Sequence, residues 1–424
     1  MEQLFVLRGH IVHTPAKDDF SVHEHSYLVC EGGKVAGIFD ALPERYAACM
    51  VYDFGDSLIV PGFCDTHLHA PQYAYRGLGM DLELIEWLNT HAFPEEMRYR
   101  DLAYASRAYR LFADDLKKSA TTRACVFATV HNEATLMLMR LMDETGLQTY
   151  VGKVNMDRNA PEGLLDPEGQ ASVELTRKWL KDVSASGLRN TLPILTPRFV
   201  PSCTNELLKG LGELAKEDNL PVQSHLSENL GEIKWVRELC PQASCYLDVY
   251  AQNGLAGAKT IMAHCVHPTD EEFALLLQRD VLVSHCPSSN TNLCSGIAPI
   301  RRYLDAGVRV SLGTDIAGGY DISMPRAVAD AVRVSKLRAR MTDMREKPIT
   351  LPEAFYMATK GGGTFFGKVG SFENGYAFDA LVLDDSRLRS PLRLTVRERL
   401  ERAIYLEKDV SITLKLVNGE PVNF

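Results

Sequence analysis

Two histidines at the end of an apolar run are the first residues whose types and spacing could do chemistry. Residues 58–73, LIVPGFCDTHLHAPQY, are short, apolar at the start and interrupted by Pro61 and Gly62, which predicts a buried strand that ends at His67 and His69. Side chains two positions apart in a strand point to the same side, so both imidazoles can bind one metal ion. Two histidines with this spacing can also be ordinary polar residues at a strand end. A metal site is therefore indicated only if further ligands are found.

Further candidate ligands stand at the ends of later predicted strands: His225, His264, His285 and Asp315. Five of the twelve histidines in the chain lie at such strand ends. Any one of these histidines, taken alone, is most simply interpreted as a buried core residue. Their shared position at strand ends indicates a metal centre. Three neutral imidazoles and a carboxylate suit zinc first and ferrous iron second, with one position left for water. A metal ion lowers the pKa of such a water toward about 7.

A proton carrier is also needed, and Glu228 follows His225 by three residues. At a strand-to-loop transition, Glu228 can face the same cavity without binding the metal. We interpret it as the general acid and base that takes a proton from water and returns it to the substrate. The alternative is that Glu228 caps the helix that follows.

The order of elements along the chain predicts an α/β fold. Eight apolar runs read as strands: residues 61–69, 121–129, 150–157, 192–199, 220–228, 260–266, 281–287 and 308–315. Helix-like segments stand between them, at 95–118, 172–184, 204–217 and 270–279. Eight strands alternating with helices predict a (β/α)8 TIM-like barrel over 61–369, with catalytic groups at the carboxyl ends of the strands. An open doubly wound sheet fits the same alternation. No G-x-G-x-x-G or P-loop follows a predicted strand, which argues against a nucleotide cofactor.

The two ends of the chain both read as β-structure. A hairpin is predicted around Glu31-Gly32-Gly33-Lys34, and strands at 378–385 and 411–422 with a turn at Asn418-Gly419. Because chain ends usually lie close together, residues 1–60 and 370–424 predict a small discontinuous β-sandwich domain beside the barrel.

Composition bounds the possible partners. The 424 residues are 46% hydrophobic and 24% charged, enough for one large domain with an accessory or for two to three domains. A net charge of −9 argues against nucleic acid as a partner and favours a small molecule that is not a polyanion. The first residues do not resemble a signal peptide, and no run is long enough to span a bilayer. Ten scattered cysteines without C-x-x-C spacing predict a protein of the reducing cytoplasm.

The motifs together resemble the one-metal subtype of the amidohydrolase superfamily. They are P-G-x-x-D-T-H-x-H at 61–69, H-x-S-E at 225–228, H-C-P-x-S-N at 285–290 and L-G-T-D at 312–315. Longer segments, at 67–96, 196–203 and 313–324, are similar to the branch that deaminates guanine. The resemblance covers the predicted barrel and continues into the C-terminal strands.

This resemblance implies a ligand set and a catalytic group. The implied metal ligands are His67, His69, His225 and Asp315. Glu228 would be the general acid and base, His264 would polarise the reacting centre, and Asp315 would also accept a hydrogen bond from the attacking water. One Zn²⁺ per chain, with Fe²⁺ as the alternative, and a homodimer are implied as well.

For the substrate, the resemblance implies Gln72, Arg198 and Phe199, together with His225 and Asp315. An amide offers a donor and an acceptor, a guanidinium can donate to a carbonyl oxygen, and a phenyl ring gives a face for a planar base. Arg198 could instead be an internal ion-pair partner. The expected reaction is hydrolysis of guanine to xanthine and ammonia, with 8-oxoguanine, a pterin or a triazine as alternative substrates. A metal-free binding or scaffold protein is the alternative from another class.

Two absences favour this subtype over its neighbours. Two-metal members are expected to have a bridging lysine at a strand end, but the fourth predicted strand ends in Thr-Pro-Arg-Phe, and Lys153 in the third is interpreted as structural. The H-x-E and P-C-x-x-C zinc site of cytidine-type deaminases is absent. His131 receives no role, and His285 is interpreted as a supporting group or a cap for the turn at Asn290.

Overall fold

The computed structural model describes residues 4–424. Its strands, in chain order, are β1 Leu4–His13, β2 Ser21–Glu31, β3 Lys34–Phe39, β4 Met50–Pro61, β5 Phe63–His69, β6 Thr121–Phe127, β7 Gln148–Gly152, β8 Val154–Asn155, β9 Thr191–Pro193, β10 Thr196–Pro197, β11 Val222–Leu226, β12 Thr260–His264, β13 Leu282–His285, β14 Val310–Leu312, β15 Ala380–Asp384, β16 Ser411–Val417 and β17 Glu420–Pro421.

The helices alternate with the central strands and return once near the C-terminus. They are α1 Leu84–Trp87, α2 Phe93–Met97, α3 Leu102–Lys118, α4 Asn132–Glu144, α5 Gln170–Ala185, α6 Asn205–Glu217, α7 Leu230–Leu239, α8 Tyr246–Gln252, α9 Asp270–Gln278, α10 Pro287–Asn292, α11 Ile300–Ala306, α12 Met324–Met341, α13 Leu351–Tyr356 and α14 Val396–Tyr405. Within residues 4–424, no helix combines the length and apolar character that crossing a bilayer requires.

The central strands form parallel ladders, as strands connected by helices should. Two four-stranded sheets have the orders β5-β6-β7-β9 and β11-β12-β13-β14, and β8 pairs with β10. Every residue of β5 and β6 is buried, because elements cover both faces of these strands. The fold is therefore mixed α/β with parallel strands, as the alternation predicts.

Hydrogen bonds outside the ladders join the two four-stranded sheets. On one side, Leu195 pairs with Val222 in a parallel bridge. On the other side, the amide of Asp315 donates to the carbonyl of His67 at 2.8 Å, and the amide of His69 donates to the carbonyl of Ile316 at 2.8 Å. The last predicted strand thus meets the first one, which brings their terminal side chains together.

Six of the eight predicted strands appear as single strands, while the third and fourth are each divided in two. Pro193 and Pro197 lie in β9 and β10, and a proline has no N–H to donate to a ladder. The helix predicted at 95–118 is also divided, because α2 ends at Met97 and α3 begins at Leu102 with Asp101 as its N-cap. The carboxylate of Asp101 accepts from the amides of Ala103 and Tyr104.

The two chain ends do join in one β-structure. It is a single seven-stranded sheet of order β17-β16-β15-β4-β1-β2-β3, in which β1 and β4 run parallel. Both predicted turns have the left-handed backbone of tight hairpins: φ is +59° and +74° at Gly32 and Gly33, and +50° and +77° at Asn418 and Gly419. The long strand β4, which the sequence reasoning missed, continues directly into β5 and links the sheet to the ligand-bearing strand.

Buried charges hold the terminal sheet against the central strands. Arg123 of β6 pairs with Asp379 through Nε and Nη2, at 2.6 and 3.0 Å, and also donates to Asn418. The ammonium of Lys415 is fully buried and donates to the carbonyls of Lys117 and Ser119, both at 3.0 Å. Burial lowers the pKa of Lys415 to about 7, because the charged form is costly in a low-dielectric interior.

This buried lysine should make the stability of the fold depend on pH. The folded-state pKa of Lys415, about 7, lies below its ordinary value of 10.5, so between these two values the unfolded chain binds more protons and stability rises with pH. Urea unfolding at several pH values between 7 and 10 should show that Lys415→Met removes a slope of about 1.4 kcal/mol per pH unit.

The matched control is Lys259→Met, because the exposed ammonium of Lys259 hydrogen-bonds only the loop residue Asn219. Its stability should follow that of the unmodified protein at every pH. Parallel curves for Lys415→Met and the unmodified protein would mean that Lys415 stays protonated in the fold.

Candidate active site

Strand ends carry the candidate residues into one cavity. His67 and His69 lie at the end of β5, His225 is in β11, His264 ends β12, and Asp315 follows β14. Positive φ values of 72° at His264 and 47° at Asp315 turn the chain sharply out of the strand direction. Non-glycine residues keep this backbone only when their surroundings enforce it, and such positions cluster at functional sites.

The four predicted metal ligands converge. Nε2 of His67 and of His69 lie 3.2 and 3.4 Å from Oδ1 of Asp315, and Nε2 of His225 lies 3.2 Å from Nε2 of His69. The ligand atoms of His67, His69 and His225 lie within 4.8 Å of one another. His67, His69 and Asp315 are almost completely buried, and His225 is partly buried. Donor atoms at these separations can surround a single ion.

Asp65, the aspartate of the P-G-x-x-D-T-H-x-H motif, joins two strand ends. Its Oδ1 accepts from the amides of Thr314 and His67 at 3.0 and 3.3 Å, and its Oδ2 accepts from the hydroxyl of Thr314 at 2.5 Å. The carboxylate therefore ties the end of β5 to the segment that carries Asp315. Burial raises the pKa of Asp65 to about 7 despite these three hydrogen bonds.

The protonation states suit metal binding. Nδ1 of His225 donates to the carbonyl of Arg198 at 2.6 Å, so its Nε2 presents a lone pair when the ring is neutral. Burial, and then the neighbouring imidazoles, hold the pKa of His69 and His225 well below the usual value. Burial would raise the pKa of Asp315, but electrostatic interaction with the facing rings of His67 and then His264 outweighs burial and gives a value of about 2. The site thus contains neutral imidazoles and a carboxylate.

The residues fit a divalent cation. Among residues 4–424, buried Nε2 of His67 finds no hydrogen-bond partner, although it lies 3.2 Å from the carboxylate of Asp315. A buried nitrogen lone pair without a donor is costly, and a metal ion would satisfy it. The donor set of three imidazoles and one carboxylate is the set that zinc and ferrous iron accept.

Glu228 and His264 stand beside this cluster. Nε2 of His264 lies 3.5 Å from Oε2 of Glu228 and 3.8 Å from Oδ2 of Asp315. On its other side, Nδ1 of His264 contacts Oδ1 of Asn290 at 2.9 Å, which fixes the ring. Burial would lower the pKa of His264, but the carboxylates of Glu228 and Asp315 raise it above the usual value. His264 can therefore carry a positive charge in the cavity.

Glu228 is a buried acid poised for proton transfer. Burial raises its pKa to about 7, and the hydroxyl of Ser295 donates to its Oε1 at 3.2 Å. The alternative role as a helix cap does not hold, because Asn229 is the N-cap of α7 and forms a capping box with Glu232. Glu232 also accepts from the amide of Glu228 at 3.0 Å, so it fixes the backbone of the acid.

The three predicted substrate residues all line the cavity: Gln72, Arg198 and Phe199. Arg198 is at the same time an ion-pair partner, as its alternative interpretation proposed. Its Nη1 and Nη2 donate to Glu96 at 2.6 and 3.0 Å, and Nε2 of Gln72 donates to the same carboxylate at 2.9 Å. The cavity wall thus has a buried polar network.

Apolar side chains complete the cavity. Leu84, Trp87, Leu88 and Leu293 line it beside Phe199, whose ring packs edge-on against Trp235 at a centroid distance of 6.4 Å. A narrow slot with aliphatic and aromatic walls and a few fixed polar groups is typical of sites for small planar ligands.

Sequence reasoning missed Glu96, Trp87 and Ser295. Glu96 lies at the start of the stretch predicted as one helix at 95–118, and the sequence analysis gives it no role in the site. The apolar residues around Glu95 and Glu96 are a signal that this segment is buried, but only the fold shows that Glu96 faces Arg198.

Three further residues lie outside the cavity lining. His285 is fully buried, burial lowers its pKa to about 3, and it does not cap the turn at Asn290, because His264 contacts that side chain instead. His131 lies before α4 and does not line the cavity. Lys153 donates to Asp166 at 2.6 Å in a buried ion pair, which agrees with a structural role.

Comparison with known proteins gives the class. The sequence model of the amidohydrolase family matches residues 58–422. The chain belongs to the amidohydrolase family.

Several guanine deaminases are similar to most of this chain. Guanine deaminases from Dictyostelium discoideum and Mus musculus are 38% and 36% identical, over 88% and 98% of this chain and 84% and 96% of their own. The crystal structure of a guanine deaminase from C. acetobutylicum with guanine bound in the active site is 43% identical, with a TM-score of 0.96 over 99% of this chain and 100% of that chain. A triazine hydrolase variant at 19% identity shares the fold, with a TM-score of 0.85.

Metal content tests the ligand cluster directly. In His225→Ala, the cluster loses a nitrogen donor, and we expect metal bound after dialysis to fall by at least tenfold relative to the unmodified protein. The matched control is His131→Ala, which removes a half-buried histidine outside the cavity and should retain metal. Equal metal content in both variants would contradict the ligand role of His225.

Proposed function

We propose that the protein hydrolyses the exocyclic amine of guanine to give xanthine and ammonia. One observation carries the proposal: a single cavity brings the cluster of His67, His69, His225 and Asp315 within reach of both Glu228 and the purine-recognition pair Gln72 and Arg198. The similarity to guanine deaminases, including one with guanine bound, supports the assignment of the ring.

His67, His69, His225 and Asp315 would hold one divalent ion, zinc before ferrous iron. When bound, the ion supplies Lewis acidity, which lowers the pKa of water toward about 7. The buried cluster excludes bulk solvent, so the charges of the surrounding side chains act at full strength on the reacting atoms.

Glu228 moves the protons. Its carboxylate takes one proton from the attacking water and delivers it to N3 of guanine as the C2–O bond forms. It then takes the second proton of that oxygen and delivers it to the amine, so that the C2–N bond breaks, ammonia leaves and the C2 carbonyl forms. A pKa of about 7 makes Glu228 both a competent base and a competent acid near neutral pH. His264, held by Asn290, stabilises the negative charge that develops beside Glu228 and Asp315.

The wall of the cavity orients the ring. Arg198 donates to O6 of guanine, Gln72 offers its amide to the ring edge, and Phe199 packs on the purine face. These contacts place C2 next to Glu228 and supply the orientation that makes the hydrolysis effectively intramolecular.

The finer architecture is part of the same proposal. We place the parallel strands in one closed (β/α)8 barrel over residues 61–369, supported by the hydrogen bonds of Asp315 and Leu195 that join the two sheets. We also propose the accessory β-sandwich domain at the predicted bounds 1–60 and 370–424, of which residues 1–3 lie outside the described part of the chain. The shared seven-stranded sheet supports the joining of the two chain ends in one domain. We further propose a homodimer in the cytoplasm, in accord with ten free cysteines.

Ammonia release from a panel of rings tests the substrate. With guanine, adenine, 8-oxoguanine, cytosine and a pterin as substrates, we expect fast release from guanine alone, with about one zinc per chain in the same preparation. Release only from another ring would leave the ligand cluster and Glu228 in their roles and overturn those of Gln72, Arg198 and Phe199.

Replacing Glu228 by glutamine tests the proton carrier. Glu228→Gln keeps the shape of the side chain but cannot accept a proton, so kcat should fall by about 10²–10⁴-fold while the metal content stays unchanged. The control is Glu238→Gln on the exposed face of α7, which should keep full activity. An active Glu228→Gln variant would exclude this role for Glu228.

A further inference from the structure

Glu96 stands at the centre of the polar wall without lining the cavity itself. Its carboxylate, 1% exposed, accepts both Nη1 and Nη2 of Arg198 and the amide nitrogen of Gln72. Glu96 therefore fixes the positions of Gln72 and Arg198, the two polar side chains that we propose to hydrogen-bond the purine. The guanidinium also lies over the ring of Phe93, with 5.2 Å between Cζ and the ring centroid.

The contacts fix which groups remain for a ligand. The end-on, bidentate pair with Glu96 occupies one hydrogen on each terminal nitrogen of Arg198 and leaves other N–H groups available. Oε1 of Gln72 accepts from the amide of Ala317 at 3.3 Å while its nitrogen donates to Glu96, so the amide cannot flip without losing both bonds. Glu96 thus determines the donor and acceptor pattern that the wall presents.

Glu96 also sets the charge of the wall. A buried guanidinium without a counter-charge attracts anions strongly, because the interior screens charge poorly. The ion pair between Arg198 and Glu96 has no net charge, and both side chains are at most 4% exposed. A neutral polar wall favours hydrogen bonding to a neutral ring over the capture of an anion.

We infer that Glu96 is a positioning and specificity-determining residue that matches the cavity to neutral guanine and against its more acidic product; this inference rests on the proposed function. Deamination replaces the amine at C2 by a carbonyl, so N1–H of xanthine lies between two carbonyl groups and is more acidic than in guanine. Because the negative charge of Glu96 cancels the positive charge of Arg198, the cavity wall does not attract the anionic form of xanthine. Product therefore leaves more readily than it would from a cationic wall.

The neighbouring acid shows that position, and not acidity alone, gives Glu96 this task. Glu95 is also in α2, but its Oε2 accepts from Arg98 at 3.1 Å and its Oε1 accepts from the hydroxyl of Tyr104. Glu95 therefore bonds neither Arg198 nor Gln72 among residues 4–424. Glu95→Gln is therefore a matched control for Glu96→Gln.

Steady-state kinetics on metal-loaded protein test the inference. Glu96→Gln removes the counter-charge at nearly constant shape, so KM for guanine should rise and the inhibition constant of xanthine should fall, each by about tenfold. Glu96→Asp keeps the charge but shortens the reach, so KM should rise while the inhibition constant of xanthine stays within about twofold of the unmodified value. Glu95→Gln should change neither quantity.

The outcomes separate the inference from the function on which it rests. No ammonia from guanine with the unmodified protein overturns both. Normal turnover by the unmodified protein, with unchanged xanthine inhibition in Glu96→Gln, overturns the inference alone. Tighter xanthine inhibition in Glu96→Asp would also overturn it, because that variant keeps the charge. If Glu96→Gln does not fold, the KM for guanine and the inhibition constant of xanthine in Glu96→Asp and Glu95→Gln still test the inference.

Discussion

The hydrogen bonds between the end of β5 and the segment after β14 are the constraint on which the site depends. Asp65 accepts from Thr314, and the amide of Asp315 donates to the carbonyl of His67. Through these bonds, side chains about 250 residues apart in sequence become neighbours, and Asp315 meets His67 and His69. Without this junction the imidazoles would have no carboxylate, and the cavity would lose its most acidic group.

Buried charged side chains contribute to the way the elements of the fold are held together. Three buried cations are paired with buried carboxylates: Arg198 with Glu96, Arg123 with Asp379, and Lys153 with Asp166. Because an uncompensated buried charge costs several kcal/mol, these pairs fix the geometry of the elements that carry them. In the cavity, burial has a different effect. It raises the pKa of Glu228 to about 7, so this carboxyl group can exchange protons near neutral pH.

Family membership and local chemistry lead to the same assignment from different directions. The amidohydrolase match covers most of the chain, and guanine deaminases of similar length align with it almost end to end. Independently, the cavity places a carboxylate with a raised pKa beside a histidine and aspartate cluster, opposite a wall with fixed donors and acceptors. Activation of water next to a planar polar ring is the chemistry that both describe.

The sequence by itself determined the parts of this protein that local pattern encodes. Alternating apolar runs predicted the strands, hairpin residues predicted the turns at Gly32 and Asn418, and histidines at strand ends predicted the cluster. Only the tertiary structure decided that β4 links the terminal sheet to β5, that two strands are divided, and that Glu96 faces Arg198. The reason is physical: strand and turn propensities act over a few residues, whereas the partner of a buried charge is chosen by which distant elements the fold packs together.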